Sequence, residues 1–255
     1  MDMPKNRSRG YRVDEDELRE VLEEVFSRRT LMALYDLLNK GVIKRVYGVV
    51  AAGKEARIYW GKGKNEEDVA IKIFLVETAE FRRSMMRYII GDPRFKHVRR
   101  DRWHIIKLWC SKEYKNLMRA YEAGIPVPRP ISFKENILVM EFIGKQGTPA
   151  PLIKDSPPED PDRTMKEIIN YIDVLFNRAK LVHADLSEYN IMNHDGRLYI
   201  IDWGSSVHIS HPEAINFLRR DLMNIIRFFT ELGAERVDIE KCIRRIISKQ
   251  SLPPL

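Results

Sequence analysis

Apolar positions along the chain change period several times, and those changes divide it. Asp14 and Glu17 resemble a capping box, and Leu18, Val21, Leu22 and Val25 follow at helical spacing. A second short helix is predicted near 30–39, stopped by Gly41. The texture then turns β-rich over 42–50, 56–60 and 69–75, with the turn-like 61–65 between the last two runs. Residues 101–123 read as a long helix ending at Gly124, and Ile125 to Pro130 must be extended because every second residue is proline. Strands near Ile131 and over 137–141 follow. Five of the thirteen prolines fall within 149–161, which reads as a linker or surface crossover. Beyond it Met165, Ile168, Ile169, Ile172, Leu175, Phe176 and Ala179 keep a 3.6-residue period, the mark of a buried helix. Two short strands flank the Asp195-Gly196 turn, and helices are predicted over 212–232 and 237–248. Strands, a proline-rich hinge and then helices suggest two lobes with a cleft between them.

Composition narrows the class. At 255 residues and 30.0 kDa, with 44% hydrophobic and 32% charged residues, the chain is globular rather than disordered or fibrous. No apolar run approaches the roughly 18 residues that read as a membrane span. Met1 to Arg12 is basic but lacks the apolar stretch of a signal peptide. Cys110 and Cys242 make neither a disulfide framework nor a zinc spacing. The expectation is a soluble cytoplasmic protein with no membrane partner. Its net charge of +7 is concentrated: Arg82 to Lys107 holds nine Lys/Arg against Asp92 and Asp101, so the rest of the chain balances. A patch of that kind suits an anionic partner.

Three segments carry candidate chemistry. Gly48 to Lys54 imitates a Walker A loop, but Glu55 stands where a Mg²⁺-binding hydroxyl is needed, and 57–60 reads as strand rather than helix. A small-residue turn between two strands can instead lie over a nucleotide, its N–H groups facing phosphate. In Val69-Ala70-Ile71-Lys72 a lysine sits inside an apolar strand. Taken alone it reads as an edge-strand lysine in solvent, and Glu113, its candidate partner, as part of a solvated helix face. The richest segment runs from His183 through Asp185 and Asn190 to Ile201-Asp202-Trp203-Gly204. Asp185 and Asn190 bracket a loop, and Asp202 ends an apolar strand beside a glycine that permits a sharp turn. One carboxylate to orient a hydroxyl, with an amide and a second carboxylate as hard oxygen ligands, is what Mg²⁺-assisted phosphoryl transfer requires.

In that order these motifs resemble protein kinases, specifically the Rio-one-like branch of the RIO family of atypical protein kinases, over about residues 42–250. The most specific pieces are Gly53-Lys54-Glu55-Ala56, Ile71-Lys72, His183-Ala184-Asp185-Leu186-Ser187-Glu188-Tyr189-Asn190 and Ile201-Asp202-Trp203-Gly204. The resemblance implies an α+β, two-lobed kinase-like fold: an extension over 1–41, a β-rich N-lobe over 42–143 with a basic insertion at 82–107, and a truncated helical C-lobe over 144–255 lacking an activation segment. It implies ATP with Mg²⁺ (or Mn²⁺) as cofactor. Lys72 would hold the α/β-phosphates and pair with Glu113, Asp185 would be the catalytic aspartate, and Asn190 and Asp202 the metal ligands. The loop Ala51, Ala52, Gly53, Lys54, Glu55 and Ala56 would cover the phosphates. Met140 would lie beside the adenine, with the backbone of Glu141 and Ile143 bonding its edge and Val50, Ile58, Ala70, Met192 and Ile201 as apolar walls.

Departures from that pattern shape the functional expectation. Ala51-Ala52 replaces the usual Ser-Thr, and Ser187 replaces the lysine that many kinases carry two residues past the catalytic aspartate. No Ala-Pro-Glu follows Asp202, and Pro212-Glu213 comes too soon to close an activation segment. The expected activity is a RIO-type serine/threonine protein kinase, with Asp202 as candidate for an aspartyl-phosphate. Two alternatives stand beside it: a slow ATPase gating RNA or pre-ribosome assembly in small-subunit maturation, and a small-molecule phosphotransferase. The acidic pocket suited to a cationic drug, which the last would need, is not visible. The basic stretch, with Tyr88, Phe95 and Trp103 among its bases, is the expected RNA contact.

Overall fold

The computed structural model describes residues 26–75, 85–95 and 101–249; the predicted helix from Asp14 lies outside them. Helix α1 (Arg28–Asn39) begins where the Ser27 hydroxyl accepts the Thr30 N–H at 3.3 Å, and it ends at Gly41, whose φ is +66°. Five antiparallel strands follow as one sheet, β1 (Ile43–Ala52), β2 (Ala56–Gly63), β3 (Asp68–Phe74), β4 (Pro130–Lys134) and β5 (Ile137–Glu141), in the order β1-β2-β3-β5-β4. Between β3 and β4 lies α2 (Arg102–Glu122), whose N-cap Asp101 accepts from the His104 N–H at 3.0 Å and whose end is marked by Gly124 at φ +83°.

The two-residue period of the strands sorts their side chains between two cores. Val69, Ile71, Ile73, Ile137 and Val139 join Ala33 and Leu37 of α1 on one face. Phe74 and Leu138 join Ile105, Ile106, Trp109 and Cys110 of α2 on the other, together with Met85 and Ile89. Alternation therefore turns Lys72, between Ile71 and Ile73, toward α2. Because β3 is flanked on both sides by β2 and β5, Lys72 is not an edge-strand residue at all.

Two strand pairs, β6 (Gly144–Lys145) with β7 (Thr148–Pro149) and later β9 (Ile191–His194) with β10 (Arg197–Ile200), border the helical half. That half contains α3 (Pro161–Val174), β8 (Leu181–Val182) paired with β11 (Val207–His208), α4 (Ala214–Glu231) and α5 (Ile239–Ser248). The predicted continuous helix to Ala179 is corrected: its last turn, Leu175–Ala179, is π-helical and closes on Lys180 in the left-handed region, φ +57°. The proline-rich run is no linker either. Ile153 is fully buried and its N–H bonds Ile191 O at 2.9 Å, while Asn193 N–H bonds Pro151 O at 2.8 Å, so the run is stitched to β9. Pro151 has no N–H to donate, and it pairs through its carbonyl.

Candidate active site

Glu113 sits on the face of α2 that carries Trp109, Cys110 and Leu117 into the cores, and so reaches Lys72. The Lys72 Nζ lies 2.7 and 3.0 Å from the two Glu113 oxygens and 3.0 Å from Asp202 Oδ1. The solvated readings of Lys72 and Glu113 are thus both overturned. Burial opposes the Lys72 charge, but Asp202 and Glu113 together outweigh it and hold the ammonium above the usual lysine range. Burial pushes Glu113 up to about 7, with Lys72 opposing. The Lys72 charge draws Asp202 below the usual carboxylate range, against desolvation. With two carboxylates on one ammonium, Lys72 stays charged.

The loop after β8 is built on α4. Asp221, buried in α4, accepts the N–H groups of Ala184 (2.8 Å) and Leu186 (2.9 Å); Arg220 donates to the Ala184 carbonyl and Asn224 to that of Leu186. These bonds over-determine Ala184, which sits at φ +67°. Burial raises the Asp221 carboxyl to about 7 even though both N–H bonds lower it. His183 is buried, with Nε2 3.1 Å from Ile201 O, and burial drives its imidazole down to about 4. Asp185 is exposed, its carboxyl raised by desolvation and by Asp202. The Asn190 amide donates to Asp185 O at 2.7 Å, leaving its oxygen available. Asp221, Arg220 and Asn224 escaped the sequence reading; an aspartate inside the buried stripe Phe217, Leu218, Leu222, Ile225 was the available signal.

Between the lobes opens a cleft of about 660 Å³. Its roof is Val50, Ala51, Ala52, Gly53, Lys54, Glu55, Ala56 and Ile58; Ala70, Met140, Met192 and Ile201 form apolar walls; Lys72, Glu113, Asn190 and Asp202 stand at its inner end. The structure thus brings together every residue expected around a nucleotide, while Asp185 lies outside the lining. Pro149, Ala150 and Leu152, from the proline-rich run, line it as well. The Gly53 N–H is spent on Ala56 O at 2.9 Å within the β1–β2 turn, so that group does not face phosphate as expected. Desolvation and the charge of Asp202 raise Glu55. At the rim the Glu141 N–H is taken by Arg129 O and the Ile143 carbonyl by the Ala150 N–H. Neither pairing uses the Glu141 carbonyl or the Ile143 N–H. A wider hollow of about 850 Å³, between α1 and the start of α2, contains none of these residues.

After Asp202 the chain needs only residues 203–213 to reach α4. The sharp turn falls on Asp202 itself, φ +64°, not on Gly204. Gly204 is required for a different reason: a Cβ there would meet the Trp109 ring at 2.9 Å. Fully buried Lys112 donates to Gly204 O and Ser206 O, both at 2.6 Å, and Asn116 donates to Trp203 O and Ser206 O, both at 2.9 Å. Arg94 bonds Asn116 Oδ1 at 2.7 Å and pairs with Asp92, which also accepts the His208 N–H at 3.3 Å. His211 Nε2 lies 2.8 Å from Ile90 O. Residues 85–95 are therefore docked on 203–212. This corrects part of the RNA expectation: Arg94 is committed internally, Tyr88 packs near Trp109 and Phe217, and Trp103 donates to Glu135.

The donor set fits a hard divalent cation. Asp202 keeps a carboxylate half exposed to the cleft, and Asn190 offers a neutral oxygen. Residues 57–242 match the RIO domain family model. The chain belongs to the RIO family. Among curated relatives it is 38% identical over 233 residues to the serine/threonine-protein kinase RIO1 of Caenorhabditis elegans, covering 90% of this chain and 46% of that protein. It is 40% identical over 215 residues to the RIO-type serine/threonine-protein kinase Rio1 of Haloferax volcanii, covering 84% and 73%. The chain thus spans under half of the first of these RIO proteins and about three quarters of the second. The fold resembles the Chaetomium thermophilum Rio2 kinase in its ADP/Mg²⁺-phosphoaspartate complex, with TM-score 0.66, 20% identity, and coverage of 90% of this chain and 74% of that one. No helix among the described residues is long and apolar enough to cross a membrane.

Proposed function

We propose that this chain is a RIO-type serine/threonine protein kinase that transfers the γ-phosphoryl group of ATP. The observation that carries the reading is Lys72 Nζ, bonded to Glu113 and Asp202 at 2.7–3.0 Å at the inner end of the cleft. The names of the RIO relatives support the kinase over the ATPase switch or a small-molecule phosphotransferase. We take 42–143 as the N-lobe and 144–255 as the C-lobe, with a cytoplasmic location.

In this reading adenine enters between Ala70, Met140 and Met192 and bonds the Glu141 carbonyl and the Ile143 N–H. Lys72 holds the phosphates, with Glu113 fixing its direction. Asn190 and Asp202 would hold Mg²⁺ (or Mn²⁺), which neutralises charge on the β- and γ-phosphates. Asp185, on a loop fixed by Asp221, orients the acceptor hydroxyl and accepts its proton. An aspartyl-phosphate on Asp202 is a variant of the same reading. A carboxylate oxygen would bond the γ-phosphorus as the bond to the β–γ bridging oxygen breaks and ADP leaves; an acceptor oxygen would then displace the carboxylate. The phosphoaspartate reported for the Rio2 kinase supports it.

Asp202→Ala is expected to abolish transfer from labelled ATP, and Lys72→Ala to reduce it at least 100-fold. Wild-type turnover in either overturns the kinase reading. Enzyme-bound phosphate that is entirely hydroxylamine-stable excludes the aspartyl-phosphate. We also retain an RNA or pre-ribosomal partner for the basic stretch, in support of which stands its charge excess. Neutralising Arg99, Arg100 and Arg102 together is expected to flatten the salt dependence of RNA binding; unchanged affinity would sink that contact.

A further inference from the structure

The loop from His183 to Asn190 contains no lysine or arginine, so positive charge beside Asp185 must arrive from elsewhere in the fold. Two arginines bring it. Arg220 of α4 lies with its guanidinium carbon 5.3 Å from the Phe217 ring centroid. Arg87, from the segment between β3 and α2, lies 5.6 Å from the same centroid and 5.3 Å from that of Tyr88. One phenyl ring therefore holds two guanidinium groups. Arg220 also donates to the carbonyl of Ala184, the residue before Asp185, which fixes this cluster beside the start of that loop.

Among the described residues neither arginine has a carboxylate within ion-pair distance, whereas Arg94 and Arg219 do. Arg220 gives one N–H to the Ala184 carbonyl and keeps the rest of its donor fork. Arg87 is exposed and Arg220 half-buried, so each guanidinium keeps N–H donors that its ring contact does not use and can offer them to an anion. Their place decides which anion. The nucleotide cleft is lined by Asn190 and Asp202 but by none of Asp185, Arg87 and Arg220. Arg220, bonded to the carbonyl of Ala184, thus lies outside the cleft lining and one residue from Asp185, with Arg87 sharing its phenyl ring; in the kinase reading an acceptor hydroxyl enters there.

We propose that Arg87 and Arg220, held on Phe217 beside Asp185, form an acceptor-side anion subsite that selects protein segments carrying a carboxylate or a phosphate next to the target hydroxyl. The guanidinium fork binds either group in the bidentate manner. This rests on the kinase reading above, and the experiment separates the two.

Full-length enzyme is assayed on matched serine peptides bearing glutamate, glutamine or phosphoserine beside the target. A fluorescein-labelled glutamate peptide is titrated by anisotropy with a non-hydrolysable ATP analogue bound. The wild type is expected to favour the anionic peptides at least 10-fold in kcat/KM, through KM; the stronger of the glutamate and phosphoserine arms identifies the anion. Arg87→Gln, which touches no group of the catalytic loop, is expected to bring that ratio to within about two-fold of unity and to weaken the labelled peptide about 10-fold. Arg87→Lys is expected to restore part of both. An unchanged ratio in both Arg87→Gln and Arg220→Gln overturns the subsite, as does an equal fall on charged and neutral peptides, which would mark a role toward the transferring phosphoryl group. If no peptide is phosphorylated the kinase reading fails, and the anisotropy alone then decides the subsite. A single-stranded RNA that displaces the peptide and loses affinity in Arg87→Gln overturns it in favour of nucleic acid.

Discussion

Lys112 is the residue whose replacement tests the energetics of this site most directly. It is fully buried and donates to two backbone carbonyls, with no carboxylate partner of its own among the described residues. Burial, aided by the charge of Arg94, drives its ammonium from 10.5 down to about 7. The folded value lies below the unfolded one, so between those limits the unfolded chain binds the proton more tightly. Stability associated with this group is therefore present in full above pH 10.5 and lost as pH falls toward 7. The gap corresponds to roughly 5 kcal/mol, or about 1.4 kcal/mol per pH unit inside the window. Lys112→Met keeps most of the volume and removes the titration. It strands the Gly204 carbonyl at a cost of about 1–3 kcal/mol, while Ser206 O keeps its bond from Asn116. Urea unfolding of both proteins at pH 7.5 and 9.5 is the assay. At pH 7.5 the two are expected within about 2 kcal/mol of each other, because lost bonds and relieved desolvation offset. At pH 9.5 the wild type is expected to gain roughly 2–3 kcal/mol on the variant. A stability difference that stays constant between the two pH values refutes the reasoning.

Two further outcomes follow from single contacts. Asp221→Asn turns one acceptor into a donor facing the Ala184 or Leu186 N–H; a loss of about 2–3 kcal/mol in thermal unfolding is expected, with kcat falling more than the KM for ATP rises. Gly204→Ala drives a Cβ into the Trp109 ring at 2.9 Å; it is expected to cost about 1–3 kcal/mol and to weaken Mg–ATP binding measured by calorimetry, through displacement of Asp202.

What the sequence announced was local. Asp101 and Gly124 bound α2 as caps should, the turn at Asp195-Gly196 separates β9 from β10, and the ordered motifs located the cleft residues. What it concealed was long-range. Lys72 in isolation reads as solvated because nothing in Val69 to Leu75 says that β2 and β5 will flank the strand. The prolines of 149–161 look like a linker because the pairing that buries Ile153 lies with β9, some forty residues on. Asp221 carries no signal of its own until Ala184 and Leu186 are folded against it.

The same distinction explains how a short connection can hold Asp202 in place. Eleven residues separate Asp202 from α4, too few to form a large supporting lobe of their own, and their carbonyls are held instead from α2. Adjacent residues of that helix face both ways: Glu113 binds Lys72, while Lys112 and Asn116 bind the backbone of 203–206. A shift of α2 would therefore move Lys72 and the backbone next to Asp202 together. Segment 85–95 closes that arrangement, since Arg94 bridges Asn116 to Asp92, and Asp92 reaches His208. Removing one partner from such a buried set leaves the others uncompensated, so its members act as one unit. The part of the basic stretch that packs here thus holds the segment after Asp202 in place, and the same docking brings Arg87 to Phe217.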